Sequence, residues 1–444
     1  MELALVPDRP PPGVLCGEQG EPTRSREEHL RWVQRSGRHL RDSAASRPPE
    51  QRHEQRLEQR HEQRRQIAPS SASMHSRRMR VVIAGGGTGG HLFPGIAVAE
   101  ELRARDPDAF VLFIGTARGI EARICPELGW PLELIEVSGI KTVGLLGAVR
   151  GVLRLPRAIL QARRALQRHR PDVVLGVGGY ASGPTLFAAW LGGTPTAILE
   201  QNSIPGLTNR IAGKFARRVF LAFELTRRYF RPARTTLTGT PIRAALRDRL
   251  VATAERPPGA VPQLFCFGGS LGAKAVNAIM ADAADELARA GLDFTLTHQT
   301  GRDDHEPMLA RYRAAGLEAR VRVMPFLDDM ASEYARADLV IARAGAATVA
   351  ELAAVGRPAI LVPYPHAADD HQAENAREFG EAGAALVLAQ DALDGTRLAA
   401  AIRALVEDPD RLARMRSAMK NLGHPDAAGA IVEWLEQTAT ARTE

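Results

Sequence analysis

The run Arg80-Val-Val-Ile-Ala-Gly-Gly-Gly-Thr-Gly-Gly-His91 sets five glycines between an apolar β-branched run and a helical pattern that continues to Arg105. Glycine at a strand-to-helix turn removes the Cβ atoms that keep a ligand off the backbone. The helix start then offers free N–H groups and the positive end of its dipole to an anion or polar group. Gly85, Gly87 and Gly90 also spell G-x-G-x-x-G, so a dinucleotide site is one reading. NAD would require a ribose-binding acid at the end of the next strand, and that strand, Val111–Gly115, runs into Thr116-Ala-Arg118. Arg118 keeps an NADP-linked oxidoreductase open as an alternative.

Similar punctuation recurs at Val173–Gly183 and Leu264–Gly272. Three glycine loops, each after an apolar strand and before a helical pattern, indicate two Rossmann-like halves with a ligand between them. A further strand, Asp338–Ala342, leads through Arg343-Ala-Gly-Ala-Ala-Thr348 into a helix, whose start is another anion site. On local grounds Thr348-Val-Ala-Glu351 reads equally as a capping box, S/T-x-x-E at a helix start. The two Asp-x-Asp matches, Asp106-Pro-Asp108 and Asp408-Pro-Asp410, sit at helix ends around a turn-making proline. They read as caps and turns, and the sequence calls for no metal and no other cofactor.

The elements that would position these residues alternate regularly. Strands are expected near 80–84, 110–114, 132–137, 172–176, 195–199, 217–221 and 235–238, with helices at 91–105, 145–169, 183–191 and 206–214. A Pro-rich linker at 256–262 precedes strands at 263–267, 293–298, 321–325, 338–342, 359–363 and 384–388. Alternation of this kind argues an α/β chain with doubly wound parallel sheets. The chain has 444 residues, enough for two domains plus an extension, and a net charge of +7. Three cysteines without metal-ligand spacing fit a reducing, cytoplasmic setting. No nucleic-acid-binding module appears, so no nucleic acid is expected as a partner. Residues 175–199 carry no charge, but glycines and prolines divide them into strand, helix and strand, so no membrane span is read there.

From Met79 onward, roughly five sixths of the chain, the motifs and their order resemble the MurG family of UDP-N-acetylglucosamine transferases. They are GGTGGH (86–91), GGYASGP (178–184), EQN (200–202), GTPIR (239–243), GGSLGA (268–273), HQTG (298–301), FLDDM (326–330), RAGAATVAE (343–351) and DHQAENA (370–376). Leu199, Thr240 and Leu271 depart from residues usual in that family, His, Asn and Gln respectively. The resemblance implies a GT-B fold: two Rossmann-like domains facing across a cleft, bounded at 79–242 for the acceptor and membrane and 243–424 for the UDP-sugar donor. A last helix, 425–444, returns to the first domain. The implied reaction is inverting transfer of N-acetylglucosamine from UDP-N-acetylglucosamine to undecaprenyl-linked lipid I, giving lipid II for peptidoglycan.

Residue by residue, the resemblance assigns Ala346, Ala347 and Thr348 at the helix start and Ser270 and Arg243 as donors to the diphosphate. Glu351 goes to the ribose hydroxyls, Leu327 to uracil and Gln372 to the donor sugar. Thr88, Gly89 and Gly90 line the cleft floor, and Asn202 contacts sugar or acceptor. His91 is the candidate general base, because imidazole titrates near neutral pH, and Glu200 is the competing base. His298 and His366 read as structural, and Asn375 reads equally as a helix-surface residue. A nucleotide-sensing scaffold without catalysis is the remaining alternative.

Residues 1–78 are different in kind. Their polar repeat at 51–64 and low apolar content indicate a disordered extension, and a start at Met74 or Met79 would account for it. Between Ser138 and Pro171 there are eight Lys and Arg residues and no acid, and Arg150, Arg154, Arg157, Arg164 and Arg168 share a helical stripe. With the lipid-linked acceptor that the resemblance implies, this stripe points to peripheral docking on an anionic membrane at the cytoplasmic face. Other cell-wall synthesis proteins are further expected partners.

Overall fold

Apolar runs buried on both faces are what parallel strands require, and Val81–Ala84 shows it: all four side chains are essentially inaccessible to solvent. The computed structural model describes residues 78–137, 144–251, 261–269, 272–367 and 370–442, without the side chains of 144–153 and 249–251. Residues 1–77, where the extension was expected, lie outside it, as does most of the Pro-rich linker.

The first domain contains β1 (Arg80–Gly85), α1 (Gly89–Arg105), β2 (Phe110–Gly115), α2 (Glu121–Glu127) and β3 (Leu132–Leu134). It continues with α3 (Gly144–His169), β4 (Val173–Gly178), α4 (Ser182–Leu191), β5 (Thr196–Glu200), α5 (Leu207–Ala212), β6 (Arg218–Leu221) and β7 (Thr235–Leu237). Its seven strands form one parallel sheet in the order β3-β2-β1-β4-β5-β6-β7. Val81 pairs with Val111 on one side and Val173 on the other, so the strand order reverses beside β1.

The second domain contains α6 (Ala244–Val251), β8 (Gln263–Phe267), α7 (Lys274–Arg289), β9 (Thr295–Gln299), α8 (His305–Ala314) and β10 (Val321–Met324). Then come α9 (Met330–Arg336), β11 (Leu339–Ala342), α10 (Ala346–Val355), β12 (Ala359–Leu361), α11 (His371–Glu381), β13 (Ala385–Val387), α12 (Gly395–Val406) and α13 (Pro409–Asn421). This sheet is also parallel, ordered β10-β9-β8-β11-β12-β13, and reverses between β8 and β11. Open parallel sheets bind ligands outside the carboxyl ends of their strands at such reversals. The two helix starts there are those of α1 and α10.

The chain's last helix, α14 (Ala427–Thr440), packs on α1. Its Ile431, Val432 and Leu435 share a core with Ile83, Ile96 and Leu102, and Trp434 meets Phe220 edge-on at 5.7 Å. The Asp-Pro-Asp segments act locally. Asp106 accepts from the Asp108 N–H (3.0 Å), and Asp408 caps α13 through the Arg411 N–H (2.8 Å). α3 runs unbroken past Pro156.

Candidate active site

The glycine loops after β1 and β4 lock together. Gly86 N–H donates to Gly178 O (3.3 Å). A Cβ on Gly85 would lie 2.3 Å from Gly178 O, and one on Gly179 would lie 2.3 Å from Gly86 O, so the pair closes only with glycine. Beneath the first loop lies Glu121, buried at the start of α2. It accepts from Gly87 N–H (2.6 Å), Thr116 N–H (2.8 Å) and the Thr116 hydroxyl (3.0 Å). The acid that a dinucleotide fingerprint wants after β2 is therefore present a few residues later, but it is consumed in shaping the loop.

Thr88 begins α1 and Gly89 and Gly90 form its first turn. Thr88 Oγ1 lies 3.1 Å from His91 Nδ1, and the His91 ring packs against Gly178. Burial lowers the His91 pKa to about 4; the nearby His371 lowers it further and Glu121 opposes. The ring is therefore neutral at neutral pH.

Glu200, at the end of β5, is fully buried and accepts from the N–H groups of Asn202 (3.0 Å) and Gly206 (3.2 Å) and from the Asn209 amide (2.9 Å). Burial raises its pKa to about 7 against these bonds. Its lone pairs already hold the 200–206 turn, which places Asn202 in the cleft. A cavity of about 540 Å³ runs from the first two glycine loops past Glu200 and Asn202 to Leu155, Ile159, Phe187 and Phe215, and His371 reaches it from the second domain.

In the second domain the capping-box alternative is corrected. Gly345 is the N-cap of α10, so Thr348 lies a turn inside the helix and Glu351 is no cap partner. No side chain caps this start and no acid occupies its first turn, leaving the N–H groups of Ala346, Ala347 and Thr348 for an anion. Glu351 accepts from the hydroxyl of the fully buried Tyr334 (2.8 Å). Burial raises the Glu351 pKa to about 7, with the Tyr334 bond and the charge of Arg243 pulling it down. Arg243 is exposed, its guanidinium 5.3 Å from the Phe93 ring centre. Arg343 is buried instead and donates to the carbonyls of Val362 and Pro363 (both 3.1 Å), so it braces the loop.

Leu327 is buried, with its N–H donating to Gln299 Oε1 (3.0 Å); Gln299 in turn donates to Gly269 O (3.0 Å). Any uracil contact at Leu327 is thus left to its carbonyl and side chain, and Gln299 is the polar organiser that motif reading missed. Gln372 Oε1 accepts from Tyr364 N–H (3.0 Å), which fixes its amide and leaves the NH2 as donor. Ser270 lies outside the described residues. His298 is structural as expected, bonded at Nδ1 to the Tyr312 hydroxyl (2.8 Å) and at Nε2 to Asn277 (3.2 Å).

Asn375 corrects the surface alternative. It is fully buried on α11 and joins both domains: its Oδ1 accepts from Ser203 N–H (2.9 Å), and its Nδ2 donates to Asn202 Oδ1 (3.4 Å) and Ala344 O (3.2 Å). Phe223 against Phe379 (6.3 Å) and Arg228 near Glu374 (3.8 Å) complete this junction.

The pattern of the glycosyltransferase family 28 N-terminal domain matches residues 81–221, and that of the family 28 C-terminal domain matches residues 263–431. The chain belongs to glycosyltransferase family 28. It is 47% identical over 355 residues (80% of this chain, 92% of the relative) to a protein of Myxococcus xanthus. That protein is named UDP-N-acetylglucosamine–N-acetylmuramyl-(pentapeptide) pyrophosphoryl-undecaprenol N-acetylglucosamine transferase. A protein of the same name from Syntrophotalea carbinolica is 50% identical over 356 residues, covering 80% of this chain and 97% of its own. The crystal structure of Acinetobacter baumannii MurG superposes with a TM-score of 0.68 at 31% identity, covering 81% of this chain and 99% of that one.

Part of the arginine stripe is paired within this family 28 fold, while Arg154 and Arg164 are exposed and the side chain of Arg150 lies outside the described residues. Arg157 pairs with Glu136 (2.9 Å), and Arg168 and His169 pair with Glu133 (both 2.6 Å), acids that β3 and the residues after it bring alongside α3. Among the described residues, exposed apolar surface gathers on α4 and α5, beyond the single exposed Leu160 of α3. Trp190, Leu191, Leu207 and Ile211 are each roughly half exposed, and the rings of Phe187, Trp190 and Phe215 lie within 6.4 Å of one another, tilted or edge-on, with Phe187 and Phe215 lining the cavity. Arg210, Lys214 and Arg217 are exposed beside them.

Proposed function

We propose that this chain transfers N-acetylglucosamine from UDP-N-acetylglucosamine to lipid I, with inversion at the anomeric carbon. The observation that carries this reading is the pairing of two unlike surfaces. An uncapped helix start beside an oriented carboxylate suits a nucleotide diphosphate sugar, and a long apolar cavity floored by glycine loops suits a lipid-linked acceptor.

The donor's diphosphate lies at Ala346, Ala347 and Thr348, with Arg243 and Ser270 adding charge and hydroxyl. Glu351 takes the ribose, Leu327 the uracil and Gln372 the sugar hydroxyls. The acceptor's own pyrophosphate meets the start of α1 at Thr88, Gly89 and Gly90, and Asn202 steadies the muramyl sugar. Its hydroxyl oxygen attacks C1 of the donor sugar as the C1–O bond to UDP breaks. The proton passes to His91 and the negative charge to the diphosphate, where helix dipole and guanidinium stabilise it. His91 is neutral and so able to accept, though burial makes it a weaker base than a free imidazole; in the tautomer whose Nδ1–H donates to Thr88 Oγ1, Nε2 accepts the proton. Glu200, saturated by four donors, positions Asn202 rather than taking the proton. Among the described residues no cluster of three or more His, Cys, Asp or Glu is placed to hold a metal ion, and in this reading the donor needs none.

No described helix is long and apolar enough to cross a membrane. The rim of Trp190, Leu191, Leu207 and Ile211, with its neighbouring cations, docks the protein peripherally on an anionic leaflet and opens the cavity toward the lipid tail. The deciding measurement is thermal stability against ligand. UDP and UDP-N-acetylglucosamine should raise the melting temperature by mass action and NADPH should not. Stabilisation by NADPH alone would overturn the transferase reading.

A further inference from the structure

We propose that Tyr334 is a positioning residue for donor recognition: its hydroxyl, donating to Glu351 Oε2, holds that carboxylate turned so that the other oxygen receives the ribose diol. The inference rests on the assignment of Glu351 to the ribose and adds the residue that makes that assignment work.

Three observations converge. Tyr334 lies on α9, 17 residues from Glu351, and has no exposed surface; its ring meets edge-on the stacked pair Phe265 (5.8 Å) and Phe267 (6.0 Å). A ring gripped in this way cannot swing, so the 2.8 Å bond fixes Oε2 in one place. Glu351 Oε1, by contrast, has no hydrogen-bond partner among the described residues, which leaves it available as an acceptor. The charged and titratable groups around Glu351 are few. Tyr334 approaches from α9 and Arg243 from the domain junction, and Glu100 on α1 lies near Arg243.

The chemistry follows. An ionised carboxylate accepts two hydrogen bonds from a vicinal diol far better than a neutral acid does. Burial works against ionisation, holding the Glu351 pKa at about 7, and the Tyr334 bond opposes burial. Donor affinity should therefore rise with pH through about 7. Loss of the Tyr334 hydroxyl should move that rise to higher pH.

The test uses the full chain, with UDP and 2′-deoxy-UDP as probes, titrated calorimetrically from about pH 6 to about pH 9. Tyr334→Phe removes one oxygen from a packed ring, and its fold is checked by thermal melting. Titration of the UDP phosphate is common to all variants and cancels in their ratio. The expected result is UDP binding about 3- to 10-fold weaker than wild type at about pH 7, recovering toward wild type at about pH 9, with the preference for UDP over 2′-deoxy-UDP reduced at the lower pH. Glu351→Gln should lose the preference at every pH and flatten the difference. A Tyr334→Phe deficit that is equal at all pH values, or absent, would overturn the positioning role while leaving Glu351 on the ribose. If Glu351→Gln leaves affinity and preference intact, the ribose assignment fails and the inference fails with it.

Discussion

The two halves share a plan but spend their polar groups differently. Each is a parallel sheet that reverses order once and opens a helix at the reversal. In the first half the carboxylates next to the loops, Glu121 and Glu200, are saturated by protein donors. They act as internal props that hold glycine loops and the 200–206 turn in shape. Both α1 and α10 start uncapped, so the difference lies in the carboxylates: in the second half Glu351 has one oxygen held and no second hydrogen-bond partner among the described residues. A half whose polar groups satisfy one another is suited to a largely apolar ligand, and a half that leaves them open is suited to a charged, hydroxyl-rich one. Glycine counting alone makes the halves look equivalent; the hydrogen-bond inventory separates them.

That contrast can be broken from either side. The largest effect should come from the one reactive group in the first half. His91→Ala should lower turnover by on the order of 10²–10⁴, alike for long- and short-chain acceptors, with UDP affinity unchanged. Wild-type turnover in that variant would return the base role to Glu200. Arg243→Ala, in the second half, should weaken UDP binding about tenfold by calorimetry and leave acceptor KM nearly alone. A matching loss in acceptor affinity would mean that the halves do not divide the substrates.

The smallest effect is expected at the exposed apolar rim of α4 and α5. Trp190→Glu with Ile211→Glu should cut vesicle binding and turnover of a long-chain acceptor several-fold, while a short, water-soluble acceptor is turned over at near the wild-type rate. Replacing Arg157 and Arg168 with Glu should do less, because both already face acids. If the arginine pair matters more than the apolar pair, docking is mainly electrostatic and centred on α3.

Most of the fold was legible because its signals are local. Val81–Ala84 and Leu339–Ala342 are continuous apolar runs that only a buried parallel strand explains, and glycines mark where each ends. The features that escaped depend on distant partners. Glu121 was passed over because it lies beyond the strand end, on a separate helix. Asn375 looked like a surface residue because its partner Ser203 is 172 residues away. Arg157 and Arg168 of the stripe seemed unopposed because Glu133 and Glu136 lie outside the acid-free window and meet them only after β3 docks. Conversely, Thr348-Val-Ala-Glu351 has a capping spacing, and only the observed start at Gly345 shows that the spacing is not used.

Asn375 has a mechanical consequence. Swinging the domains apart must strip Ser203 N–H of its acceptor inside a dry junction, at a cost of about 1–3 kcal/mol unless water follows. This one bond thus resists opening of the junction by that amount. Because the same amide touches the turn carrying Asn202 and the carbonyl of Ala344 just ahead of α10, a nucleotide that tugs on one side is felt on the other. By thermodynamic reciprocity, whatever grip the sugar nucleotide lends to the lipid substrate, the lipid substrate must lend back in equal measure.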